Sequence, residues 1–244
     1  MGARASSVDV ANAVTGIGVS LKQLHRDAEA ARLLDTAIAI QREGAYPFVT
    51  DTLRMQGNWY ADAGEWNKAL ASYLEAVRVN EIDGDEEFVA NDLVNASRCY
   101  EKLAKWSETI DVCKRARAIY KSQKKVKEIG HIDRKIAEAY IALGNGEEGL
   151  RYAKLAYEVA SLRGDGVAIS MASLSGGRAQ LLLGNFEKAE QALDEARNLL
   201  FGSEDWEMQV AVDREFITLY RQTNRFNEAD KLENRIKTIE EILE

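Results

Sequence analysis

The chain has 244 residues, 46% of them hydrophobic and 30% charged, and a net charge of −8. That charge speaks against wholesale binding to nucleic-acid phosphates, and no apolar run reaches the roughly 18 residues that a membrane-spanning helix needs. Met1 to Ser20 lacks a compact apolar core behind basic residues, so no signal peptide is expected, and the two cysteines, Cys99 and Cys113, point to reduced thiols in the cytoplasm rather than to a disulfide framework. A single proline, Pro47, leaves the chain free to run helix after helix.

Taken in order, the chain reads as six units of one pattern. The first, about 11–49, carries Leu21, His25, Asp27, Ala30 and Ala37. The second, 50–89, repeats these positions as Tyr60, Gly64, Trp66, Ala69 and Ala76, and the third, 90–129, as Tyr100, Ala104, Trp106, Thr109 and Ala116. The fourth, 130–169, has Tyr140, Gly144, Gly146, Gly149 and Ala156; the fifth, 170–209, has Gln180, Gly184, Phe186, Ala189 and Ala196. The sixth, 210–244, ends the series with Tyr220, Asn224, Phe226, Ala229 and Ile236. The period is 40 residues, with one step of 39. Repetition of this kind means stacked units, each too small to bury its apolar face alone.

Each column has a physical reading. The Gly or Asn column permits the left-handed backbone that ends a helix. The aromatic two residues later starts the next helix and plugs the hairpin. The two small-residue columns, seven apart, share one helix face and let helix backbones approach closely. Hairpin corners are expected at Ala61–Gly64, Leu103–Ala104, Leu143–Gly144 and Leu183–Gly184. Joints between hairpins are expected near Pro47, Gly84, Gly130, Gly164–Gly166 and Ser203. The polar side chains of the last helix, Asn227 to Leu243, suit a terminal cap or a face covered by a further repeat.

The stretch Gly57-Asn-Trp-Tyr60 with Gly64-Glu-Trp66, Ala69, Tyr73 and Ala76 resembles the tetratricopeptide repeat, as does Leu182-Leu-Gly-Asn-Phe-Glu-Lys-Ala189. The resemblance covers roughly residues 8–243. It departs from the usual unit of about 34 residues and so looks like the long-repeat branch: rapsyn-like proteins, polarity adaptors with LGN-type repeats, and bacterial peptide-sensing regulators of the Rap type. The six extra residues are expected to lengthen the helices at the joints between hairpins. The resemblance implies one all-α domain over 1–244, a right-handed superhelical α-solenoid of six hairpins and about twelve helices. It also implies a binding scaffold without enzymatic activity or cofactor.

The residues that would carry catalysis do not group. His25 and His131 are far apart in the chain, and no Cys/His cluster has metal-ligand spacing. Gly176-Gly177 falls inside a helix and reads as a close helix contact rather than a phosphate loop. The acidic run Glu81 to Glu87 lacks the spacing of a calcium loop and reads as a solvated linker that caps the next helix with Asp and Glu.

The family resemblance implies that the first helix of each hairpin lines a concave face. Its inward positions hold nine basic and five acidic side chains, inverting the balance of the chain. Arg54, Arg134 and Arg214 alternate along it with Arg98 and Arg178. Arginine forks suit carboxylates. The two-carboxylate clamp of tetratricopeptide co-chaperones is matched at both asparagines, Asn58 and Asn95, with Arg54, His131 and Lys135 at its cationic positions. The expected partner is thus another protein, through an acidic peptide, helix or C-terminal tail held by Arg54, Asn58, Asn95, Arg98, His131, Arg134, Lys135, Arg178 and Arg214. Neither nucleic acid nor membrane is expected as a partner, and self-association is open. Glu138, four residues from Arg134, and Glu215, beside Arg214, are placed to neutralise part of this face. The alternatives are an intracellular peptide-sensing regulator and a structural subunit of a larger assembly.

Overall fold

The computed structural model describes residues 7–43, 49–203 and 205–243. These form twelve helices: α1 (Ser7–Gln23), α2 (Asp27–Glu43), α3 (Val49–Asp62), α4 (Trp66–Asp83), α5 (Glu86–Lys102), α6 (Trp106–Ser122), α7 (Val126–Ala142), α8 (Gly146–Arg163), α9 (Gly166–Leu182), α10 (Phe186–Leu199), α11 (Trp206–Gln222) and α12 (Phe226–Leu243). The protein is all-α and built from six antiparallel hairpins, as the repeat implied. The helices gather into two compact units, the first ending at Tyr120 and the second beginning at Lys121.

The hairpin corners follow the backbone reading closely. His25, Gly64, Ala104, Gly144, Gly184 and Asn224 all have positive φ, between 54° and 75°. At each corner the following amide donates back to the carbonyl of the column begun by Leu21 and Tyr60. Glu65 N reaches Tyr60 O at 2.8 Å, Asn145 N reaches Tyr140 O at 2.9 Å and Arg225 N reaches Tyr220 O at 2.7 Å. This is the Schellman closure, which satisfies carbonyls that a helix end leaves open. The aromatic column then supplies the first residue of α4, α6, α10 and α12. Trp66, Trp106 and Phe186 are half-buried, whereas Phe226 is 55% exposed and plugs nothing.

A second left-handed series follows α4, α6, α8 and α10, at Gly84, Lys124, Gly164 and Gly202. The joint expected at Gly130 therefore lies earlier, at Lys124; Gly130 is buried inside α7. The joint at Pro47 lies outside the described residues. The acidic run read as a linker is mostly helical, since α4 extends to Asp83 and α5 begins at Glu86; only Gly84 and Asp85 link them, and Asp85 makes no side-chain capping hydrogen bond. Its neighbours Glu86 and Glu87 act on the helix N-terminus through charge in the first turn.

Both units pack as the small-residue columns require. In the first unit, Ala30, Ala37, Ala69 and Ala76 are fully buried with Leu34, Leu53, Tyr60 and Tyr73. In the second, Ala189 and Ala196 are fully buried with Leu193 and Phe216. A methyl group on Gly177 of α9 would sit 2.7 Å from Leu193 Cδ2, so this glycine is a helix contact.

Candidate functional site

The expected cationic residues meet different fates. In the first unit, Arg54 of α3 is consumed by its own neighbours. Its Nε donates to Asp92 Oδ1 at 2.7 Å, its Nη2 to Asp92 Oδ2 at 3.3 Å and its Nη1 to Asp51 Oδ1 at 2.9 Å. Asp92 of α5 has no exposed surface and also accepts from Asn80 Nδ2 at 2.8 Å. Burial pushes the Asp92 carboxyl up, against the pull of Arg54 and Asn80. Asn58 Oδ1 accepts a 2.6 Å hydrogen bond from the Tyr73 hydroxyl. Asn95 is half-buried, and Arg98 is exposed with no ion pair among the described residues.

In the second unit, Arg178 of α9 bridges two helices. Its Nε donates to Glu215 Oε1 of α11 at 2.8 Å, and its Nη1 to Glu138 Oε2 of α7 at 2.9 Å. Ser175 Oγ closes the group by donating to Glu138 Oε1. Burial would lower the arginine pKa, but Glu138 and Glu215 outweigh it and raise it. Glu138 and Glu215 thus neutralise Arg178, rather than the Arg134 and Arg214 beside them in sequence. Arg214 is exposed and meets Glu240 Oε1 at 3.1 Å. Lys135 is buried, with 7% of its surface exposed. It falls next to the exposed stripe of α7 rather than on it.

What remains is a cleft between α7, the end of α8 and the start of α9. Its volume is about 210 Å³. Two expected residues, His131 and Arg134, line it together with Lys127 and Arg163, which the repeat numbering did not select. The floor is apolar: Ala156, Val159, Ala160, Val167 and Met171. Local structure places each cation. Lys127 and His131 stand one turn apart on α7. Arg163 is the last residue of α8, where the helix dipole favours a positive charge. Gly164, at φ 63°, turns the chain into α9, and Asp165 caps that helix by accepting from Ala168 N at 3.0 Å. Lys127, Arg134 and Arg163 have no ion pair among the described residues, while the one carboxylate in the lining is engaged as a helix cap. The cleft is a positively charged mouth over a greasy floor, which suits carboxylates carried on an apolar chain.

No group of three His, Cys, Asp or Glu able to hold a metal occurs among the described residues. None of the described helices is long and apolar enough to cross a membrane. Cys99 is buried, and desolvation raises its thiol to about 11.

Twelve helices in Schellman-closed hairpins, with small residues buried at the repeating columns of both units, define a tetratricopeptide-like repeat protein. Residues 42–181 match the family model described as "SNAP: Soluble NSF attachment protein, SNAP", more than half of the chain. The chain belongs to that family, which was not among those the sequence resemblance suggested. The matched stretch contains the whole lining of the cleft. No curated protein sequence matches the chain. Solved structures share the fold at low identity. A signal-transduction ATPase with a tetratricopeptide repeat sensor from Pyrococcus horikoshii matches with a TM-score of 0.79 and 15% identity, over 98% of this chain and 38% of that one. BtubC from P. vanneervenii matches at 0.67 and 16%, over 91% and 90% of the two chains. A Rap protein complexed with competence and sporulation factor matches at 0.65 and 14%, over 93% and 76%.

Proposed function

We propose that the protein is an interaction scaffold whose second unit receives an acidic segment of a partner protein in the α7–α8–α9 cleft. The observation that carries this reading is the set of three cations without ion pairs, Lys127, Arg134 and Arg163, around an apolar floor. Elsewhere on the first helices of the hairpins, Arg54 and Arg178 are already satisfied by acids of the protein itself. They shape the face and do not bind. Arginine forks would pair with partner carboxylates, His131 would add a further polar contact, and small apolar side chains between those carboxylates would fill the floor. The family description, an attachment protein, points the same way.

The test is fluorescence anisotropy with a labelled peptide of alternating glutamate and valine. The double variant Arg134→Glu plus Arg163→Glu is expected to lose about tenfold or more in affinity. Arg98→Glu, in the first unit, is expected to bind as the wild type does. Unchanged binding by the double variant would remove the cleft as the site.

A further inference from the structure

Among the described joints the spacing changes at the end of α10, and a cavity lies there. The left-handed joints Gly84, Lys124 and Gly164 stand one period apart, but the next is Gly202, two residues early. Helices α4, α6 and α8 have 18, 17 and 18 residues, whereas α10 has 14. The last turn of the helix is replaced by the link Leu200-Phe201-Gly202-Ser203. A cavity of about 570 Å³ lies there, bounded by the end of α10, this link, α11 and Arg235 of α12. That volume falls within the range of small-molecule sites.

Its walls have two characters. Leu200, Phe201, Trp206 and Val212 supply apolar surface, with two aromatic side chains left out in solvent: Phe201 is 93% and Trp206 42% exposed. The base is polar and rich in donors. Asp213, 1% exposed, is held by Arg235 Nη1 at 2.6 Å and faces Arg197 Nη2 at 3.5 Å. Gln209 Oε1 accepts from Arg235 Nη2 at 2.8 Å, and Gln209 Nε2 donates to the Ser203 carbonyl at 2.9 Å. Two guanidinium groups against one carboxylate leave a net positive charge. The Ser203 hydroxyl is buried and has no hydrogen-bond partner among the described residues. The hydroxyl is closed off from the cavity, so the cations of the base are what an anion there would meet.

We infer that this cavity is a binding site for a small organic anion with a flat apolar body and a single acidic group. The body lies between Phe201 and Trp206. The acidic oxygens face the positive base formed by Arg197 and Arg235. This site is separate from the cleft of α7–α9 and shares no lining residue with it.

The full chain is titrated with 1-anilinonaphthalene-8-sulfonate and, in parallel, with the uncharged N-phenyl-1-naphthylamine. The sulfonate is expected to bind about tenfold more tightly, the usual worth of one charge-assisted contact. Phe201→Ser, at an almost fully exposed position, is expected to weaken the sulfonate by several fold. Trp206→Phe is expected to keep the affinity but lower the emission sensitised by tryptophan, because Trp206 lines the cavity and Trp59, Trp66 and Trp106 do not. Arg134→Glu, in the other cleft, is expected to change neither titration. Equal affinity for the two dyes, or a Phe201→Ser titration identical to wild type, would overturn the inference, whatever the acidic peptide does.

Discussion

At the scale of single residues, the corner column gives a direct test of backbone strain. Ala104 sits at φ 54° in a position that Gly64, Gly144 and Gly184 fill elsewhere. A side chain with a Cβ pays roughly 1–2 kcal/mol in this region, and the greater flexibility of unfolded glycine offsets part of any relief. Ala104→Gly is therefore expected to stabilise the protein by about 0.5–1 kcal/mol, read as a shift in urea midpoint. Gly144→Ala should cost about 1 kcal/mol through the backbone alone, because its Cβ would meet nothing within 4 Å.

Asp213 offers a second test, in which the sign is informative. Burial raises its carboxyl against the pull of Arg235 and Arg197. A carboxyl whose folded pKa lies above its unfolded value binds more protons in the folded state. Its penalty is full above the folded pKa and disappears below the unfolded value near about 4. The stability of wild type relative to Asp213→Asn should therefore increase as pH falls from neutral towards about 4. Urea midpoints of both proteins across that range decide it. A difference that shrinks with acid would mean that the arginines hold the carboxyl below its ordinary value.

At the scale of the helix pair, the ion pairs show what the sequence made visible and what it hid. Lys22 and Asp62, Arg54 and Asp92, Glu138 and Arg178, and Arg178 and Glu215 lie 40, 38, 40 and 37 residues apart. These separations are close to one repeat, because within each unit equivalent helices of successive hairpins stand side by side. Opposite charges one period apart were the available signal, whereas the sequence reading paired charges only along a single helix. The corners and small-residue columns were legible because each rests on a local requirement, a left-handed backbone or the absence of a side chain. The shortened α10 was not, because Leu199 to Phe201 is as apolar as a continuing helix would be and only the early Gly202 betrays the stop.

The Glu138–Arg178–Glu215 bridge leads to a prediction at this scale. Arg178 contacts both carboxylates through separate edges of its fork, and lysine has no such geometry. Arg178→Lys is expected to cost about 1 kcal/mol, and Arg178→Ala about 2–3 kcal/mol because it leaves two half-buried carboxylates without their shared cation. Adding Glu138→Gln to Arg178→Ala should recover part of that loss. A strictly additive double variant would show that the bridge carries no coupling.

At the scale of the whole molecule, an overall charge of −8 opposes the acidic partner that the cleft attracts. The two effects act over different distances. Attraction by Lys127, Arg134 and Arg163 works at contact across an apolar floor, where salt screens it only in part. Repulsion by the rest of the surface is long-ranged and fades once the screening length drops to about 8 Å near physiological salt. In the wild type the contact pairs should dominate, so affinity for the glutamate–valine peptide should fall as salt rises from about 0.05 to 0.5 M. In Arg134→Glu plus Arg163→Glu the attraction is gone and the repulsion remains, so whatever binding persists should strengthen with salt. A reversal in the sign of the salt dependence requires the charges to act at the binding site itself. Loss of affinity with an unchanged salt slope would instead mean that the two substitutions disturb the packing of α7 against α8.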